Sequence, residues 1–215
     1  MRKGHFVPKR IPALAAAVLA LTLVLTGCGG GGRSAASARD RAREMAGCVM
    51  EAEVSCDWEG NPWTALLRCA YIPGERSVVQ ALSPETVRGV QVLLEPDRNG
   101  ERVSLRYAGK YLDAGAVSRE AVFPASCLPR LMDVLRDGWL LEENFENWGE
   151  VSCARLALDQ TGETGKIDAV LWLRREDGTP VRGEIAVDGE TVLTAEFTSF
   201  VFYDSLEELR TLTGE

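Results

Sequence analysis

Apolar and polar residues alternate along several stretches of this chain, a pattern typical of strands with one buried face. In the segment EAEVSCDW, Ala52, Val54 and Cys56 point to one side and the residues between them are polar or acidic. Similar runs, each bounded by glycine, proline or Asp-Gly turn signals, predict about ten strands. They are 51–58, 63–72, 77–82, 87–94, 102–107, 139–146, 151–159, 167–174, 181–187 and 191–200.

Three further segments have helical periodicity, over residues 37–50, 124–138 and 205–212. In the middle one, Leu128, Leu131 and Leu135 form an apolar stripe at the spacing of a helix face. A sheet with one apolar face needs a cover, and the two longer helices can provide it. The expected fold is therefore α+β, a curved antiparallel sheet with helices on its concave face.

The first 12 residues carry four basic residues and no acidic one, and an apolar run follows over 13–26. A membrane-spanning helix needs about 20 apolar residues, so this shorter run predicts a cleaved secretory signal. An N-terminal anchor helix or a buried core helix is the alternative. The basic leader on one flank and the glycine run on the other argue against a core helix.

The signal ends in Leu25-Thr26-Gly27-Cys28, which resembles the lipobox of bacterial lipoproteins. The resemblance implies cleavage before Cys28 and attachment of lipid chains, palmitate among them, at this residue. Two acyl chains hold a protein stably on a bilayer. We expect residues 1–27 to be the signal, 28–36 a lipidated glycine-rich tether and 37–215 one domain. The domain would then stand on the extracytoplasmic face of the cell membrane.

Charge and histidine content exclude several functions. Without the leader, 20 basic residues face 32 acidic ones, a net charge of −12, which disfavours nucleic-acid binding. The single histidine, His5, lies in the signal, so the mature chain has no Ser-His or Cys-His pair and no histidine-ligated zinc. We expect no enzymatic activity, no cofactor and no metal.

Five cysteines follow Cys28, and none belongs to a CxxC pair. Outside the cytoplasm disulfides are permitted, and an odd number allows at most two within one chain. Buried free thiols are the alternative, and the sequence assigns no pairing among Cys48, Cys56, Cys69, Cys127 and Cys153.

Two acidic or glycine-rich motifs have simple structural explanations. The segment TGETGK, 161–166, lacks the spacing of a phosphate loop and is expected to be a hairpin loop. Glu142, Glu143 and Glu146 resemble a calcium cluster, but neighbouring residues of a strand point to opposite faces. A solvated strand end is expected there. Among the tryptophans, Trp63 and Trp148 lie beside turn residues and are surface or partner candidates.

Two longer stretches resemble a known superfamily. They are YIPGERSVVQALSPETVRGVQVLLEPDRNGERVSLRY and AVLWLRREDGTPVRGEIAVDGETVLTAEFTSF. Leu171-Trp172-Leu173, Thr179-Pro180 and the Asp188-Gly189 turn are similar to the last strands of bacterial lipoprotein carriers of LolA, LolB and LppX type. Within that superfamily, residues 37–202 most resemble the GerS-type spore-germination lipoproteins.

The resemblance implies a half-open β-barrel, closed by helices, around a hydrophobic cavity. Trp172, Val181 and Ile185 are then candidate ligand-binding residues, with core packing as the alternative for Trp172. One hypothesis is a tethered protein that binds a lipid or another hydrophobic ligand. The other is a module that docks and regulates an envelope protein, a cell-wall amidase in the GerS-type case. A homodimer through an exposed edge or the odd cysteine is a further alternative.

A continuous apolar cavity would favour the first hypothesis. A filled barrel with an exposed apolar edge would favour the second.

Overall fold

A computed structural model describes residues 35–58, 61–98, 100–118, 121–160 and 167–213. The predicted signal, Cys28 and the TGETGK loop lie outside these residues. Within them, helix α1 spans Ala35–Glu44, helix α2 spans Cys127–Asp137 after a 3-10 turn at Pro124–Ser126, and helix α3 spans Leu206–Thr213. No helix in these ranges is both long and apolar enough to cross a membrane.

Eleven strands form one antiparallel sheet. They are β1 Gly47–Trp58, β2 Asn61–Ile72, β3 Arg76–Ala81, β4 Gln91–Asp97, β5 Gly100–Tyr107, β6 Lys110–Val117, β7 Trp139–Trp148, β8 Val151–Asp159, β9 Ile167–Arg174, β10 Pro180–Val187 and β11 Glu190–Tyr203. Their order across the sheet is β6-β5-β4-β3-β2-β1-β11-β10-β9-β8-β7. The first and last strands are therefore neighbours in the middle, and β6 and β7 are the two edges.

The core lies between α2 and one face of the sheet. Helix α2 packs on β2 and on β8 to β11, and its stripe of Leu128, Leu131 and Leu135 is almost fully buried. Fully burying one leucine side chain stabilises a fold by about 1.5–3 kcal/mol. At Gly183 of β10 the helix comes so close that an added Cβ would lie 2.5 Å from Leu131 Cδ1. This glycine permits the approach of α2.

Helix α1 packs beside α2 and stabilises the end of that helix. The last carbonyls of a helix have no partner within it. Here the Arg39 Nε donates to the carbonyl of Leu135 at 3.0 Å, and the Arg43 Nε donates to that of Arg136 at 2.8 Å. The inner side of α1 is apolar and buried at Ala38 and Ala42, and Met45, directly after the helix, is buried as well.

The prediction that the first helix continues to residue 50 is wrong. The helix ends at Glu44 and β1 begins at Gly47, because Cys48 and Met50 continue the two-residue alternation of Ala52 and Val54. Both residues are fully buried and pair with Phe202 and Phe200 of β11. Burial in the centre of the sheet outweighs the helical periodicity of this segment.

The sheet has one strand more than predicted, β6, and strand β4 begins later than predicted. The additional strand, β6, is an exposed edge without the expected alternation. Strand β4 begins at Gln91 rather than at residue 87, because the Pro84 and Val87 carbonyls accept turn hydrogen bonds from Val87 and Val90 at 3.1 Å each. The antiparallel architecture with few helices is confirmed.

Candidate functional site

The structure does not bring the three predicted ligand-binding residues together. Ile185 is fully buried in the core, in register with Ala169 and Leu193. Val181 is half-buried where the pairing of β10 with β9 shifts register. Trp172 belongs to the other face of the sheet, because β9 presents Ala169, Leu171 and Leu173 to the core.

The face on which the resemblance implies an acyl chain is occupied by α2. Leu131 lies over Gly183, and Leu128 and Met132 are fully buried beside it. A core at crystal-like density has little room for a further hydrophobic chain. Ile185 thus packs against the protein's own side chains.

Trp172 is held in a group of side chains on the opposite face, which we call the outer cluster: Glu146, Trp148, Arg155, Trp172 and Arg182. The rings of Trp148 and Trp172 lie 5.5 Å apart, and the Trp172 Nε1 donates to a Glu146 carboxylate oxygen. The guanidinium of Arg182 lies 4.4 Å from the Trp148 ring centre, a cation–π distance. The outer cluster therefore ties β7 to β8, β9 and β10.

Arg182 is also paired electrostatically. Its Nη2 lies 2.8 Å from Glu184 Oε1 and its Nη1 lies 2.8 Å from Glu196 Oε1. The Arg182 guanidinium is already paired with two glutamates and stacked on the Trp148 ring. Its role is therefore to stabilise the sheet. The outer cluster is thus a stabilising group, and it covers Trp172.

Strand β7 carries five of the nine large apolar side chains that are exposed in the described chain. All ten of its residues are exposed. Trp139 is 79% exposed, and Leu141 and Phe145 are each 58% exposed. In the register with β8, Leu140 and Phe145 pair with Leu158 and Ala154 of the core face, whereas Trp139 pairs with Asp159 on the opposite face. Exposed apolar groups of this size often mark interaction sites.

Strand β7 is also an edge, hydrogen-bonded on one side to β8. An edge strand presents unpaired backbone N–H and C=O groups that another extended chain can join. Phe145 is held in place by Arg175, whose guanidinium lies 4.8 Å from the ring centre. The strand thus offers both backbone groups and an aromatic side chain, Phe145, that Arg175 holds in position.

The glutamates of β7 are dispersed between its two faces. Glu142 pairs with Arg155 at 3.5 Å, and Glu146 accepts the hydrogen bond from Trp172. In the described part of the chain, no three histidine, cysteine, aspartate or glutamate side chains are grouped as a metal site.

The two tryptophans predicted at the surface differ. Trp63 is half-buried and packs against the core, whereas Trp148 belongs to the outer cluster. Sequence reasoning found the strand but did not single out Trp139, Leu141 or Phe145. The sequence feature that could have identified them is their large apolar side chains in a strand that also carries three glutamates.

All five cysteines after Cys28 are free thiols. Cys48, Cys69 and Cys127 are fully buried, and burial raises the pKa of each thiol. Raised thiol pKa values disfavour the reactive thiolate, so these side chains act as small core residues.

No protein-family profile and no curated protein matches this chain. Solved structures do match it. The fold is similar to that of LolA superfamily proteins. A member from Nitrosomonas europaea has 12% identity and a TM-score of 0.42, covering 82% of this chain and 97% of that one. A lipoprotein-sorting protein domain from Vibrio parahaemolyticus, described as putative, has 11% identity and a TM-score of 0.44, covering 85% and 97%.

A third match is to the complex of the CwlD amidase with the GerS lipoprotein from Clostridioides difficile. It has 12% identity and a TM-score of 0.37, and covers 94% of this chain and 99% of the matched one. The superfamily and the GerS lipoprotein that the sequence resembles are thus both among the matches. Because each of these three TM-scores is below 0.5, the function of none of these proteins is carried over to this chain.

Proposed function

We propose that this chain is a non-enzymatic, extracytoplasmic lipoprotein that binds an envelope protein along strand β7. The lipobox-like sequence supports lipid attachment at Cys28, which lies outside the described residues. The proposal includes the division into a signal at 1–27, a tether at 28–36 and a domain at 37–215. It also includes a half-barrel curvature of the sheet, with helices on the concave face.

The observation that carries this proposal is the exposure of Trp139, Leu141 and Phe145 on an edge strand. A partner strand added to β7 would satisfy its outward backbone groups, and the side chains of that strand would contact Phe145 on one face of the sheet and Trp139 on the other. Large aromatic side chains are also the residues most enriched at interface hot spots.

Binding of a lipid or another hydrophobic ligand is less well supported by the geometry. It would use Trp172, Val181 and Ile185, of which Trp172 and Ile185 lie on opposite faces of the sheet. The leucines of α2 occupy the core face. For the partner, the resemblance to GerS-type lipoproteins suggests a cell-wall amidase as the first protein to examine.

Site-specific photocrosslinking tests the proposal. A photoreactive phenylalanine analogue replaces Phe145 on β7, and the matched control carries it at Tyr111 on the other edge, which is 60% exposed. We expect a discrete protein adduct in the host cell from position 145 and not from 111. Adding Trp139→Ser should abolish the adduct but change the free energy of unfolding by less than about 0.5 kcal/mol, since this side chain is exposed.

Two results would overturn the proposal. One is equal adducts, or none, at positions 145 and 111. The other is a lipid-sized mass that stays bound to the purified protein in native mass spectrometry and leaves on organic extraction.

A further inference from the structure

A row of charged and aromatic side chains crosses the face of the sheet opposite the core and ends at β7. It begins with Glu196 of β11, which lies in register with Arg182 of β10. Arg182 lies opposite Trp172 of β9, and Trp172 lies opposite Arg155 of β8. Arg155 lies opposite Asn144 of β7. Because β7 is an edge, the next residue of this row would come from a strand that joins it.

Both arginines of the row are held in the same way. The Arg182 Nη1 lies 2.8 Å from Glu196 Oε1, and its guanidinium lies 5.8 Å from the Trp172 ring centre. The Arg155 guanidinium lies 5.6 Å from the same ring centre, and its Nη1 lies 3.5 Å from Glu142 Oε2. Each guanidinium thus has a carboxylate on one neighbouring strand and an aromatic ring on the other.

Asn144, the last residue of the row, is flanked by two exposed carboxylates. Glu142 and Glu146 lie two positions before and after it, so their side chains point to the same face as Asn144. Glu142 pairs with Arg155, whereas Glu146 accepts a hydrogen bond from the neutral indole of Trp172. Among the described residues the two carboxylates therefore share one ion pair.

The position opposite Asn144 on an added strand lies between these carboxylates. A residue there is diagonal to Glu142 and to Glu146, at about the 7–8 Å that long side chains span across a sheet. A guanidinium at this position would meet a carboxylate on each side. The edge therefore favours an arginine at one defined place in the incoming strand.

A second copy of this chain does not supply such a strand. Strand β7 has three glutamates and no basic residue, so pairing with itself would add negative charge to negative charge. The other edge, β6, contains Lys110 and Asp113, whose charges cancel, and no arginine. A different protein fits the edge better.

We propose that the partner strand carries an arginine opposite Asn144 and, next to it, a large apolar residue opposite Phe145. Arginine suits the site better than lysine because its planar fork can donate to two carboxylates at once. The apolar neighbour points to the other face of the sheet and packs on Phe145, which is 58% exposed. This inference rests on the proposed addition of a strand to β7, and it defines which extended segments β7 selects.

The test measures the binding of fluorescent peptides to the full chain in detergent micelles by anisotropy. The probe is a nine-residue peptide of alternating threonine and valine in which arginine replaces the central threonine. The control peptide carries citrulline there, which keeps the shape of arginine without its charge. We expect the arginine peptide to bind about fivefold more tightly, the combined effect of two exposed ion pairs.

Two variants locate the preference. Glu142→Gln combined with Glu146→Gln should abolish the difference between the peptides, because glutamine keeps the acceptor oxygens but not the charge. Glu143→Gln makes the same change on the core-facing side of the strand, where Glu143 pairs with Leu156, and should keep the difference.

Three results would overturn this inference: equal binding of the two peptides to the parent protein, a difference that survives in the double variant, or its equal loss in Glu143→Gln. All three leave strand addition at β7 intact. Failure of both peptides to bind would overturn strand addition as well.

Discussion

At the scale of single residues, Asp133 shows how burial changes the chemistry of a carboxyl group. It belongs to α2 and accepts a hydrogen bond from Tyr71, and burial raises its pKa above the ordinary 3.8. The folded protein therefore keeps this proton to a higher pH than the unfolded chain does. Its contribution to stability is complete below pH 3.8 and is lost as the pH rises through the folded value.

Asp133→Asn removes this titration. Relative to the parent, the variant should become progressively more stable as the pH rises from about 3.8 to the raised pKa of the folded state, by at most about 1.4 kcal/mol per pH unit for one proton. Urea denaturation at a series of pH values gives both curves. Parallel curves would show that Asp133 has the same pKa in both states.

The position of Trp172 shows what the sequence could and could not predict about the site. The alternation in IDAVLWLR already separates Trp172 from Leu171 and Leu173, and it could have placed the tryptophan on the other face. Its partners could not be predicted in this way. Arg155 and Arg182 come from different strands, and only the register of the sheet brings them to the ring.

At the scale of elements, α2 and β7 are opposites: one is almost wholly buried and the other wholly exposed. Leu128→Ala in α2 should lower the free energy of unfolding by about 2–5 kcal/mol, because it leaves a cavity under the helix. Trp139→Ala in β7 should change it by less than about 0.5 kcal/mol.

Denaturant titration of both variants measures the difference. A similar loss in both would mean that β7 packs against something in the folded chain. No loss at Leu128 would mean that α2 is not the cover of the core.

The elements that the sequence predicted best are those with one buried face and a clear turn at each end. Strands β8 to β11 begin and end within a few residues of their predicted bounds, guided by the Asp177-Gly178 and Asp188-Gly189 turns. Strand β6 was not predicted because an edge strand with no buried face does not need alternating apolar and polar residues. Helix α1 was predicted too long because Ala46 and Val49 also fit a helical face, and only pairing with β11 decides between the two structures.

At the scale of the whole molecule, the labelling rates of the thiols measure how often the core opens to solvent. Cys48, Cys69, Cys127 and Cys153 are fully buried, whereas Cys56 is half-buried. Iodoacetamide at neutral pH should label Cys56 first and the three core thiols Cys48, Cys69 and Cys127 at least about 100-fold more slowly, since these three react only after the core opens.

Peptide mapping by mass spectrometry follows the labelling at each cysteine. In denaturant all five should react at similar rates. A disulfide-linked pair of peptides among these five in the purified protein would contradict the arrangement, as would rapid labelling of Cys69.

The pairing of β1 with β11 determines which part of the sheet can form last. Strands β1 to β6 form one meander and β7 to β11 another, and the two join through the ten-residue register between β1 and β11. A chain synthesised from its N-terminus holds β1 with one bare side until residues 190–203 emerge. The two halves then meet in a single late closure, and the entropy of bringing such distant segments together makes that closure slow. A chain released before β11 is made would carry two extra open edges in its centre, where aggregation begins.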